Sequence, residues 1–138
     1  MHTAGGGVRT YDEVFASLAA VSLEDSWVLS LDASLTELSF VLDLALTPAH
    51  SAYIAFARGQ ACCFARGTLR IESESAVLVR RSSLPPATDA AGELDYGHID
   101  AFQQVSSGDA MWALTGDWGE ALVREPRVVL ELDDIARR

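Results

Sequence analysis

His98 stands at the end of the densest polar run in the chain, Asp89-Ala90-Ala91-Gly92-Glu93-Leu94-Asp95-Tyr96-Gly97-His98-Ile99-Asp100. An imidazole oriented by a carboxylate is the working pair of general acid–base catalysis, and on a strand His98 and Asp100 would share one side. No nucleophile accompanies that pair: the chain has no Gly-x-Ser-x-Gly elbow, no His-Glu-x-x-His and no phosphate-cradling glycine loop. Carboxylates spaced by glycines could also hold a hard cation, but the spacing here is not that of a calcium loop. His2, His50 and His98 have no metal-ligand spacing, so neither a metal nor a cofactor is expected. The run reads first as a solvated loop whose Asp and Gly residues set turns, and otherwise as a negatively charged contact surface with Tyr96 as an aromatic anchor.

A second conspicuous element is Gly116-Asp117-Trp118-Gly119. Two glycines around an Asp and an indole read as a tight hairpin turn with Trp118 folded over the core edge. The functional alternative makes Trp118 an exposed anchor. A binding surface would then comprise Asp89, Glu93, Asp95, Tyr96, Asp100, Asp117 and Trp118.

The elements that must position these residues are strands. In Leu38–Leu46 every even position is large and apolar, the period of a strand with one buried face. The beat recurs at Trp27/Leu29/Leu31 and Val128/Leu130/Leu132; Trp27 and Trp112 each sit at strand positions matching their apolar neighbours, so both read as core. Strands are expected at Ser26–Leu31, Leu35–Thr47, Ala61–Phe64, Thr68–Glu72, Ala76–Arg81, His98–Val105, Ala110–Thr115, Glu120–Arg124 and Arg127–Asp133. The first two should pair as a hairpin. A parity change between Phe64 and Leu69 predicts a bulge at Arg66-Gly67. Before the strands, residues 1–9 read as a flexible lead-in, and Thr10–Glu13 as a capping box opening a helix from 11 to 21. The fold class is therefore mainly β: one domain over residues 10–135, an antiparallel β-sandwich or partly open barrel with an N-terminal amphipathic helix.

Composition narrows the function classes. A formal net charge of −10 over 138 residues reads first as solubility; it disfavours nucleic acid and anionic membranes as partners and permits a basic protein partner. Every one of the 10 basic residues is Arg, so arginine here reflects genome composition rather than bidentate recognition. Cys62 and Cys63 are adjacent and read as reduced thiols on opposite faces, one in the core and one outside. The absence of a bilayer-length apolar run or a signal-like segment makes a cytoplasmic location the expectation.

The run Leu84-Pro85-Pro86-Ala87-Thr88-Asp89, then Gly92–Asp100, then Gly116–Gly119 resembles a family of small, uncharacterised bacterial proteins over about residues 26–133. That resemblance implies a shared fold and a bacterial source and no activity. In size, acidity and β-rich style the chain is also similar to bacterial immunity proteins. The expected function is a non-enzymatic acidic protein-binding module, an inhibitor or immunity-like protein, with homo-oligomerisation open. Two alternatives are a small-ligand carrier lidded by Tyr53, Ile54 and Phe56, and an enzyme using His98 with Asp95 or Asp100.

Overall fold

A computed structural model describes residues 8–50, 63–74, 77–81, 87–88, 94–108 and 110–132. The architecture is two four-stranded antiparallel sheets packed face to face. The first has the order β1 (Val21–Ala33), β2 (Glu37–Leu46), β3 (Cys63–Glu72), β10 (Arg127–Leu132). The second runs β4 (Val77–Arg81), β9 (Gly119–Arg124), β8 (Met111–Gly116), β7 (Ile99–Gln104). A two-stranded ribbon joins β5 (Ala87–Thr88) to β6 (Leu94–Asp95). Backbone bridges the two sheets at the β1 edge, where the Val28 amide donates to Gly97 O at 2.8 Å and the Tyr96 amide to Val28 O at 2.9 Å, and at the start of β4, where the Val77 amide donates to Leu35 O at 2.8 Å; among the described residues no strand ladder joins them. The barrel is thus not closed.

β2 explains the core. Leu38, Phe40, Leu42, Leu44 and Leu46 are all fully buried, facing Ile71 and Leu69 of β3 and the inner side of the second sheet. Phe40 meets Trp118 edge-on, with ring centroids 5.0 Å apart. Phe102 gathers Tyr11, Phe15 and Trp112 into an aromatic cluster.

Three expectations are corrected. The 11–21 helix is only α1 (Tyr11–Val14) and a 3-10 turn (Ala16–Leu18), after which Val21 already opens β1. Phe15 sits between them in extended backbone and packs on Phe102 and Trp112; that burial outweighs continuing a helix whose Val14 would stay in solvent. The carboxylate of Glu13 does reach back to the Thr10 amide, at 3.0 Å.

No bulge occurs at Arg66-Gly67 either. β3 is one continuous strand in register with both neighbours. Gly67 takes an inward place that holds no side chain: a Cβ there would lie 2.8 Å from Glu131 O and 3.0 Å from a Leu44 methyl. With the strand unbroken, Phe64 falls on the face opposite Leu69 and is 46% exposed.

β1 carries the real irregularities, between Ser22 and Trp27 and between Val28 and Ser30. They shift its buried positions to Val28 and Leu31, and Trp27 emerges 39% exposed rather than in the core.

Tyr11 fastens the short helix to this strand. Its hydroxyl accepts from the Leu23 amide at 3.0 Å and donates to the Glu24 carboxylate at 2.7 Å. Burial, with help from Glu24, raises the phenol well above the usual tyrosine range. Through pH about 10 the unfolded chain therefore sheds this proton while the folded chain keeps it. With fewer protons on the unfolded state, stability is intact below that pH and falls as pH rises through it. Tyr11→Phe is expected to flatten that fall. It should also cost about 1–3 kcal/mol at neutral pH, because the buried Leu23 amide loses its acceptor. Urea melts of both proteins at neutral and alkaline pH check the two statements; parallel losses above pH about 10 would refute the first.

Candidate functional site

The Tyr96–His98 end of the acidic run and the Gly116–Gly119 turn meet at one end of the sandwich. Gly97 has φ +84, which glycine alone adopts freely, and a Cβ there would lie 2.5 Å from Asp117 Oδ2. Gly116 lets the β8 end approach His98 O and the Trp118 indole more closely than any side chain would permit. The Tyr96-Gly97-His98 segment is therefore clamped between β1 on one side and the Gly116–Gly119 turn on the other.

His98 is half-buried. Its Nδ1 lies 2.6 Å from Ser26 O. A carbonyl oxygen only accepts, so Nδ1 carries the proton, and in the neutral ring Nε2 is the acceptor. The imidazole packs against Trp27, ring centroids 4.0 Å apart. The hydroxyl of Ser26 is not available as a nucleophile. It is fully buried, donates to Ser22 O at 2.6 Å and accepts from the Ala45 amide at 2.9 Å, supplying the ladder partner that the β1 irregularity removes. Asp43, the cross-strand partner of Trp27, stands beside the indole on the outer face, with Arg66 across from it on β3.

The expected site residues divide. Tyr96, half-buried, and Asp117, exposed, belong to this junction. Asp100 is exposed, at the irregularity between Ile99 and Ala101 of β7, whereas His98 precedes that strand. Trp118 is 2% exposed, which corrects the anchor reading: the two-residue turn folds its indole inward against Phe40. For Asp95 only the backbone, paired with Ala87, is described. Asp89 and Glu93 lie outside the described residues, as do Cys62 and the Tyr53, Ile54 and Phe56 of the carrier reading. Sequence reasoning missed Trp27, because period two counted through an irregular strand puts it on the wrong face.

At the opposite end of β9 a cleft of about 610 Å³ opens between Thr36, Glu37, Glu72, Ser73, Glu74, Arg124, Glu125 and Arg127. Its walls are polar, unlike the apolar pocket a carrier of greasy ligands needs. No cluster of metal-ligating side chains occurs among the described residues, and none of their helices is long and apolar enough to cross a membrane.

Comparison with protein-family models, with curated proteins and with solved structures finds no match to this chain.

Proposed function

We propose that the chain is a non-enzymatic protein-binding module that receives a basic partner, in the manner of an inhibitor or immunity-like protein, on the Trp27–His98 junction. The supporting observation is Trp27 itself. A large indole stands 39% exposed on an edge strand, held by a ring contact to an imidazole that is in turn fixed to a backbone carbonyl. A pre-ordered aromatic loses little entropy on docking, and such residues dominate binding energy at interfaces. Asp117 and Asp100 are exposed near the same end, and the chain's charge of −10 gives a basic surface a favourable field.

Trp27→Ala is expected to weaken partner binding by about 2 kcal/mol or more, on the order of thirtyfold, while leaving the fold nearly as stable. The measurement uses the immobilised chain and its Trp27→Ala form as baits against extract of the source cell, at low and moderate salt. A basic protein retained by the first and lost by the second, with its affinity then measured on purified material, supports the reading. Recovery of no protein, or of the same proteins on both baits, overturns it.

A further inference from the structure

We propose that a second copy of this chain pairs with β10, joining two first sheets into one eight-stranded sheet across a two-fold axis. Three of the four outer edges of the sandwich are already managed. The β1 edge is hydrogen-bonded to Tyr96 and Gly97 at Val28. The β7 edge takes Thr10 opposite Gln103. The β4 edge is tied to the first sheet at its start, where the Val77 amide donates to Leu35 O at 2.8 Å, and carries Arg80, ion-paired with Glu120. β10 differs: it is paired with β3 on one side, and among the described residues no strand lies on the other. It contains neither proline nor an inward charge, and its core-facing Val128, Leu130 and Leu132 are only partly buried.

The sequence of β10 names the occupant. Arg127, Val129 and Glu131 point outward, while Val128 and Leu130 point to the core. Antiparallel self-pairing that keeps inward residues opposite inward ones must centre on a residue, not between two. Centred on Arg127 it opposes two arginines, and centred on Glu131 two glutamates. Centred on Val128 or Leu130 it leaves a charge opposite Val129. Centred on Val129 it sets Arg127 against Glu131 of the second copy, twice by symmetry, and Val128 against Leu130. The charges are already held in position: Arg127 binds Glu72 at 2.7 Å and Glu131 binds Arg70 at 2.7 Å. Their edge-side members are the exposed ones, Arg127 at 78% and Glu131 at 62% against 27% for Glu72 and 31% for Arg70. Pairing would extend each into an alternating ladder, Glu72–Arg127–Glu131–Arg70, that crosses between copies. A closed two-fold contact of this kind also uses up the edge, so no fibre follows.

Sedimentation of the full chain from micromolar to millimolar concentration tests this. The unsubstituted chain is expected to dimerise. Arg127→Glu and Glu131→Arg should each raise the dissociation constant about thirtyfold, because both symmetric pairs become repulsive. Mixed, the two variants are complementary at both charged pairs between copies and should sediment as a heterodimer, although each carries one like-charge pair within its own sheet. A chain that stays monomeric at millimolar concentration, or a dimer indifferent to both substitutions, overturns the proposal. Should either variant fail to fold, backbone amide exchange on the unsubstituted chain decides. Alternate amides of residues 127–132 should gain protection with concentration, and unchanged exchange there overturns the pairing.

Discussion

Trp118→Ala is expected to destabilise the fold by about 3–5 kcal/mol, the range for deleting a large buried aromatic. The indole is 2% exposed and fills the space between the Gly116–Gly119 turn and Phe40. Removing it strips an edge-on aromatic contact and leaves a void beneath β2 that the rigid inner face, with Leu38, Phe40 and Leu42 all fully buried, cannot collapse to fill. For a domain of this size the melting temperature should fall by on the order of 10 °C. Trp118→Phe should cost much less. Among the described residues the indole Nε1 is buried without a hydrogen-bond partner, so phenylalanine gives up volume but also removes an unsatisfied donor. Thermal melts of the two variants beside Trp27→Ala separate a core tryptophan from a surface one. Equal, small shifts for Trp118→Ala and Trp27→Ala would mean that Trp118 lies outside the core and that the turn projects outward.

The contrast between these two tryptophans shows what a sequence carries and what it does not. The strand period is a local property, so β2 could be read residue by residue: nothing interrupts its ladder from Glu37 to Leu46. β1 has the same beat at Trp27, Leu29 and Leu31, yet two irregularities set the strand's register by what it crosses, and parity counted from Leu31 back to Trp27 is wrong. The signal that could have raised suspicion is Ser26. A serine on the inward face of a strand is costly unless its hydroxyl replaces a missing backbone partner, which is what it does for the Ala45 amide. Gly67 misled in the other direction. A glycine within a strand suggests a bend, whereas here the missing side chain makes room for Leu44 and Leu132 from two neighbouring strands. The helix expected at 11–21 failed for a related reason. Its apolar spacing is real, but those side chains are used separately: Tyr11 ties to β1, Phe15 packs on Phe102, and Val21 enters a sheet. As for the site, the proximity of the Tyr96–His98 run and the Gly116–Gly119 turn is a tertiary fact. It was legible only as two glycine-bearing motifs whose glycines had no stated neighbour.

Gly116→Ala should cost about 3 kcal/mol, at the upper end of the penalty for forcing atoms into a packed site. The added methyl group would overlap His98 O and the Trp118 indole, and the first of these is backbone that cannot rotate away. Gly108→Ala gives the comparison. Gly108 has φ +73 but nothing within 4 Å of an added Cβ, so it carries conformational strain alone, about 1 kcal/mol. A Gly116 variant that loses no more than the Gly108 variant in denaturant melts would show that β7 does not approach the turn. The displacement should also travel. His98 O and His98 Nδ1 belong to one residue, so pushing its backbone off Gly116 pulls the imidazole away from Ser26 O and from the face of Trp27. With Trp112 and Trp118 replaced by Phe so that Trp27 is the one indole, its fluorescence should then shift toward that of a freely hydrated indole in Gly116→Ala and not in Gly108→Ala. An unshifted spectrum would separate the glycine clamp from the exposed tryptophan, and the binding proposed for that surface would have to rest on β1 alone.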